Sequence, residues 1–195
     1  YVEPYASSAC EMVAEVLQYI MDGIKVRPAE ADAMYAGIVI DTQNFTNQTG
    51  VRTFEAAAYL RKLGADMVEV RKLFSTSMDD YQNRSKLVSS AEIYRGCAIA
   101  SSSAGVGDIK IVAPQAADEL LSISDVDASF VLYEYDGGVS MSARSLGAMN
   151  VQLIMEALGG GGHQTMAGAQ LAGVSMENAR QQLLEAIDNF YDKRS

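Results

Sequence analysis

Apolar positions first recur at helical spacing just after Ser7 and Ser8, either of which can cap a helix. Met12, Val13, Val16, Leu17, Ile20 and Met21 follow at intervals of three and four, and Gly23 ends the run. Pro28 suits a first helical position, and Glu30 and Asp32 suit the positive helix end. Ala31, Met34, Tyr35 and Ile38 line the apolar face. Ala36 to Ile40 reads equally well as the end of that helix or as a short buried strand. The apolar run stops at Asp41, and Thr42 to Arg52 is a polar loop. Thr53 caps a helix from Phe54 to Leu63, with Glu55 in its first turn and Gly64 as its C-terminal glycine. Asp66 restarts a helix through about Phe74. Ser75 to Ser77 is a candidate hinge, and Met78 to about Ile93 reads as a charged linking helix.

Beyond Gly96 the pattern changes. Gly96 to Ser101 is a short β-type run, Ser101 to Gly107 a turn region, and Ile109 to Val112 a returning strand. Pro114 opens a helix through about Leu121. Ala128 to Tyr135 alternates as a strand does, Asp136-Gly137-Gly138 is a hairpin turn, and Val139 to Arg144 is the partner strand. A helix from about Asn150 to Leu158 runs into four glycines. Met166 to Ala172 is a further strand. Ser175 caps a last helix whose inner face is Ala179, Leu183, Ile187 and Phe190. The fold class is therefore α/β in two small domains. Residues 1–77 form a mostly helical part, 78–94 a linking helix, and 95–195 a mixed β-sheet flanked by helices. A cleft between two such domains is a common ligand site.

Composition narrows what this architecture can do. At 195 residues, 49% apolar and 21% charged, the chain can bury a core and is not a disordered one. Its net charge of −10 argues against sequence-independent binding of long duplexes, which needs a broad basic face. A small anion held by a few local donors remains open. Cys10 and Cys97 lie in no metal or redox spacing, so free thiols in a reducing compartment are the simplest account. No run of about 18 apolar residues spans a membrane, and no direct membrane contact is expected.

Gly159-Gly160-Gly161-Gly162 runs directly into His163, the only histidine. Successive amides in such a stretch form an anion-binding concavity, and histidine adds a donor that can carry charge near neutral pH. A plain turn with a surface histidine reads the same residues equally well. Ser140, Ser142 and Arg144 alternate along one strand and so share a face, a pattern suited to phosphate or carboxylate or to a merely solvated strand. Asp41, ending an apolar element, is a candidate metal ligand or a turn residue. One histidine and one well-placed aspartate fall short of a two-metal site.

Two sets of residues carry a family resemblance. Asp41-Thr42-Gln43-Asn44-Phe45 and Thr49-Gly50-Val51-Arg52-Thr53-Phe54-Glu55-Ala56-Ala57 resemble the later part of the catalytic domain of DHH-family phosphoesterases. Ser142-Ala143-Arg144-Ser145 and Gly159 to His163, with Ala167-Gly168 following, resemble the associated substrate-binding domain. Tyr1 to Ser8 and Glu92-Ile93-Tyr94-Arg95-Gly96 look most like the membrane-anchored cyclic-di-AMP phosphodiesterases of Gram-positive bacteria. That resemblance implies a truncated first domain. It also implies two Mn2+ ions and a metal-activated water that opens a cyclic dinucleotide to the linear form. The parent would be anchored in the plasma membrane, with this part on its cytoplasmic face.

Carried over, Asp41 matches a metal ligand, and Ser142 and Arg144 match substrate contacts. Gly160, Gly161, Gly162 and His163 match the loop that holds phosphate; Asn44 and Arg52 are further candidates near the metals. The family's His-x-Asp-x-Asp motif and Asp-His-His triplet are absent and would precede Tyr1, so the chain alone is expected to be inactive. A nanoRNase or 3′-phosphoadenosine phosphatase, a single-strand exonuclease, and a nucleotide-binding module without catalysis are the alternative functions. Homodimerisation is left open.

Overall fold

The computed structural model describes residues 3–20, 25–102, 108–135 and 137–192. The chain divides into two compact units, Tyr1–Ser75 and Thr76–Ser195. Each holds its own core.

The described residues of the first unit form four helices: α1 Ala9–Ile20, α2 Pro28–Asp41, α3 Val51–Lys62 and α4 Met67–Leu73. Ser8 caps α1, its hydroxyl accepting the Glu11 amide at 3.0 Å. Gly23 and Met21 lie outside the described residues. Small side chains let these helices approach closely: Ala14, Ala31, Ala56 and Ala65 are fully buried with Ile38 and Leu60. Gly37 marks the tightest approach, because a Cβ there would come within 2.4 Å of the Cys10 Sγ. Ala36 to Ile40 is helix, the tail of α2, which settles the ambiguity between helix and strand.

Thr53 does not cap α3 from outside. The helix begins two residues earlier at Val51, and the Thr53 hydroxyl reaches back to accept the Gly50 amide at 3.1 Å. A threonine one turn into a helix gives the same sequence signal as one before it. Arg52 therefore belongs to the first turn of α3 and not to the loop.

The second unit is a six-stranded mixed sheet between two helical layers. Its elements are α5 Met78–Ser89, β1 Glu92–Tyr94, β2 Cys97–Ser102, α6 Ile109–Leu120, β3 Ala128–Tyr135, β4 Gly138–Ser145, α7 Val151–Ala157, β5 Gly161–Gly162, β6 Met166–Ala172 and α8 Met176–Asp192. The strand order is β1-β2-β3-β4-β6-β5. Among the described residues only β2 and β3 pair in parallel, joined by the α6 crossover.

Side-chain alternation sends Phe130, Leu132, Val139, Met141, Ala143, Ala167 and Ala169 into a core under α7 and α8. Val131 and Tyr133 enter a second core under α5 and α6, with Leu87 of α5 in it. The expected linking helix thus ends at Ser89 and packs as part of this unit. Glu92–Tyr94 forms strand β1 instead, turned into β2 by Arg95 (φ 49°) and Gly96 (φ 75°), the pair of left-handed residues that a tight hairpin takes.

Ile109 to Val112 is not a strand. It opens α6, in which Val112, Ala113, Ala116, Ala117 and Leu120 are buried at helical spacing and Pro114 lies inside the helix. Ile109-Lys110-Ile111 alternates locally, but the alanines that extend the helical period carry the burial. Asp136 of the predicted hairpin, and residues 103–107 of the predicted turn, lie outside the described residues. Ser175 accepts the Asn178 amide at 3.3 Å, as a cap of α8 should.

Candidate functional site

The register across β4, β6 and β5 brings most of the sequence-predicted residues of the second unit into view. Arg144 lies opposite Met166, Ser142 opposite Gly168, and Ser140 opposite Gln170. Gly161 lies opposite Gly168 and Gly162 opposite Ala167. Continuing that pairing by one residue sets His163 opposite Met166, and the two exchange backbone hydrogen bonds at 2.7 and 3.2 Å. Directly opposed residues of antiparallel strands point to the same face.

Three parallel rows therefore cross one face of the sheet, the face that α6 covers farther along. They are Arg144–Met166–His163, then Ser142–Gly168–Gly161, then Ser140–Gln170. Arg144 and His163 are two strands apart, about 10 Å between backbones. Between their row and the next, Gly168 and Gly161 leave the floor bare of side chains.

The four glycines do different jobs. Gly159 (φ 77°) ends α7: its amide donates to the Glu156 carbonyl at 3.0 Å, and the Gly160 amide to the Met155 carbonyl at 2.8 Å. That pair of bonds is a Schellman motif, which favours glycine at the left-handed position. A Cβ at Gly160 would lie 2.1 Å from the Gly168 carbonyl oxygen, and one at Gly162 would lie 2.5 Å from the Ala167 Cα. Both are therefore fixed by packing against β6. A Cβ at Gly161 would meet nothing within 4 Å. Of the run, Gly161 alone owes its missing side chain neither to crowding nor to backbone conformation, and it faces the row of Ser142.

The tip of the hairpin is held firmly. The Val151 amide donates to the Gln164 carbonyl at 3.0 Å and the Ser145 amide to the Thr165 carbonyl at 3.0 Å. The Gln164 side chain donates to the Gly147 carbonyl at 3.2 Å, and the Ser145 hydroxyl closes its own turn onto the Met149 carbonyl at 2.5 Å. His163 is exposed on this braced turn.

Arg144 is not free. Its Nε donates to Asp118 Oδ1 of α6 at 2.9 Å, and its Nη1 to the Ala143 carbonyl at 3.0 Å. The Arg144 side chain is 11% exposed, whereas that of Asp118 is 48% exposed, so the pair is open to water on the aspartate side. Desolvation raises the Asp118 pKa and the neighbouring guanidinium opposes that rise. Sequence reasoning missed Asp118, which nothing in the local pattern of α6 singles out. Gly168 had a usable signal, since a glycine inside a strand marks a close approach. A shallow cavity of about 540 Å³ opens along Ser140, Gly159, Gly160, Gly168 and Gln170.

Within the first unit, Asp41 is the exposed last residue of α2. Gln43, Asn44 and Phe45 after it all take left-handed φ values, 47°, 59° and 61°. Thr42 holds that strained turn. Its buried hydroxyl donates to the Ile38 carbonyl at 2.6 Å and accepts the Phe45 amide at 2.9 Å. Phe45 stacks on Phe54 with centroids 5.4 Å apart. Arg52 is committed to Glu15 through two bonds of 2.7 and 2.6 Å, with Glu3 at 3.6 Å. Among the described residues no three of His, Cys, Asp and Glu gather as a metal would require. Asp41 thus has no such partners among the described residues, and no chemical step follows from it.

Residues 99–193 match the DHHA1 domain. The cyclic-di-AMP phosphodiesterase GdpP of Geobacillus thermodenitrificans is 50% identical over 98% of this chain and 30% of its own length. The cyclic-di-AMP phosphodiesterase PdeA of Listeria monocytogenes is 47% identical over 98% of this chain and 29% of its own. The crystal structure of an exopolyphosphatase-related protein from Bacteroides fragilis has the same fold, with a TM-score of 0.86 at 24% identity, covering 96% of this chain and 58% of that one. The DHHA1 match takes in just under half of the chain, and the likeness to the two phosphodiesterases extends over nearly all of it. It spans about 30% of the length of these curated relatives.

Proposed function

We propose that this chain binds the phosphate-bearing part of a small nucleotide on the β4–β6–β5 face, as the substrate-holding portion of a cyclic-di-AMP phosphodiesterase. The observation that carries this reading is the row Arg144–Met166–His163 beside the bare row Ser142–Gly168–Gly161. Two cationic or cationisable side chains about 10 Å apart, on either side of Met166, stand beside a floor where a phosphate can approach the backbone. The names of the relatives suggest the cyclic-di-AMP; the Arg144 guanidinium and the Ser142 hydroxyl beside the glycine floor support a phosphate there.

Hydrolysis to the linear dinucleotide, and the manganese pair that the family resemblance implies for it, are not assigned to the residues described. On this reading they belong to a larger catalytic domain, and a membrane anchor belongs to the same larger protein. Among the described residues no helix is long and apolar enough to cross a membrane.

The test is titration of the 195-residue chain with inorganic phosphate, AMP and cyclic-di-AMP, followed by calorimetry and by the amide signals of Gly161 and Ser142. Saturable shifts at those amides, abolished by Arg144→Ala, support the reading. Shifts confined to other parts of the chain, or binding unaffected by Arg144→Ala, overturn it. Turnover of cyclic-di-AMP by this chain with Mn2+ would overturn the assignment of hydrolysis elsewhere.

A further inference from the structure

Polarity changes steadily along the three rows. The first carries Arg144 and His163. The second carries Ser142 with two glycines. The third carries Ser140, buried, and Gln170, exposed, with Tyr133 opposite Ser140 on β3. The third row holds no charged side chain. Successive rows are two residues apart along each strand, about 7 Å, so Gln170 lies about 14 Å from Met166 along β6. The side chains of Arg144 and Gln170 shorten that gap from both ends. The cavity of about 540 Å³ opens along the second and third rows, with Ser140, Gly168 and Gln170 in its lining.

We infer that Gln170 reads the base of the bound nucleotide, and that the nucleotide lies along β6 with its phosphate at Arg144 and His163 and its base at Ser140 and Gln170. The inference rests on the proposed phosphate site and extends it to orientation and base selection. Among the described residues the third row offers the phosphate no positive charge, so Arg144 and His163 favour it on the first row. The phosphate rests between the first and second rows against the Gly161 backbone, and the sugar passes over Gly168 toward the third row. The base then reaches a carboxamide, which offers one donor and one acceptor side by side. Adenine presents the complementary pair, an amino group beside a ring nitrogen, and glutamine pairs with it through two hydrogen bonds. The guanine edge presents two adjacent donors, which suit a carboxylate better than a carboxamide. Among the described residues the Gln170 carboxamide has no partner that this pairing would have to displace, and its exposure keeps it available.

The experiment compares AMP, GMP and inorganic phosphate on the full chain, for the wild type, Gln170→Ala, Gln170→Glu and Arg144→Ala. Wild type is expected to prefer AMP over GMP by about tenfold, the scale of one well-made two-bond contact to a base in a water-exposed site. Gln170→Ala should erase that preference, and Gln170→Glu should shift it toward GMP. Both should leave affinity for inorganic phosphate unchanged. Arg144→Ala should weaken all three ligands together. If phosphate binds through Arg144 while the AMP-to-GMP ratio stays the same in both Gln170 variants, base reading by Gln170 is wrong and the phosphate site survives. If none of the three ligands binds the wild type, the phosphate site itself is wrong and this inference falls with it. Gln170 is exposed on a strand, and its glutamate and alanine replacements should both leave the fold intact, which β6 amide exchange checks.

Discussion

Gly160→Ala and Gly161→Ala separate packing from binding within two adjacent residues. At Gly160 the added methyl would lie 2.1 Å from the Gly168 carbonyl oxygen, 2.6 Å from the Ala169 Cβ and 2.7 Å from the Ala169 Cα. Two of those three atoms are backbone, so the strand itself must shift. Overpacking of this kind costs about 1–3 kcal/mol, and the rigid neighbours point to the upper half of that range. At Gly161 nothing lies within 4 Å and φ is outside the left-handed region, so the methyl fits. Alanine there restricts the unfolded chain and should leave stability unchanged or raise it by up to about 1 kcal/mol. The same methyl projects onto the bare floor beside Ser142. If a phosphate must reach that backbone, its displacement carries a similar penalty of about 1–3 kcal/mol, or roughly 5- to 150-fold in affinity. Hydrogen exchange at the β4 and β6 amides reads the stability of this sheet on its own, and phosphate or AMP titration reads the binding. Gly161→Ala binding as tightly as wild type would refute the functional half of the reasoning. Gly160→Ala with unchanged amide protection would refute the structural half.

The remaining predictions concern groups whose partners are known. Asp118→Asn should release Arg144 and tighten phosphate binding several-fold in calorimetry, because the carboxylate now competes for the guanidinium; weaker binding would mean that Asp118 positions Arg144 instead. Thr42→Val should lower stability by about 1–3 kcal/mol in urea unfolding, since it leaves the buried Ile38 carbonyl and Phe45 amide without their side-chain partner. Cys97 is fully buried, and that burial pushes its thiol up from 9.0 to about 12. The folded protein then holds a proton that the unfolded chain releases above pH 9, so this stability is complete below pH 9 and is lost between pH 9 and 12, at up to about 1.4 kcal/mol per pH unit. Cys97→Ala should flatten that alkaline slope in denaturation midpoints, and an unchanged slope would remove Cys97 as its cause.

Local chemistry was legible wherever one element decided the outcome by itself. The strands read from Ala128 to Tyr135 and from Val139 to Arg144 both form, and their alternation divides apolar side chains of β3 between the two cores that cover the sheet. Ser8 and Ser175 cap helices because their hydroxyls meet amides three residues on. The misreadings share a cause: each depended on a partner far away in sequence or on residues too small to register. Ile109 to Val112 looks like a strand until Ala113, Ala116 and Ala117 are counted as the apolar face of a helix packed on β3. Glu92 to Tyr94 looks like helix until β2 offers it an edge and Arg95-Gly96 provides the turn.

The glycine run shows the same division at the site. Four identical letters read as a single unit, a phosphate cradle or a plain turn, for what are four separate requirements. Gly159 answers to carbonyls of the helix before it, and Gly160 and Gly162 answer to a strand that follows them. Sequence cannot assign these roles because the crowding atoms belong to Gly168, Ala169 and Ala167, and only the β5–β6 register brings them close. The register also narrows the functional proposal. Arg144 and His163 share a face because two antiparallel pairings, Arg144 with Met166 and Met166 with His163, send three side chains to one side. Shifting either pairing by one residue would turn His163 to the opposite face. Inserting one residue between Gln164 and Thr165 is therefore expected to abolish phosphate binding while the cores under α6 and α8 persist. Binding that survives such a register change, with the shift verified by cross-strand contacts in NMR, would show that His163 has no part in it.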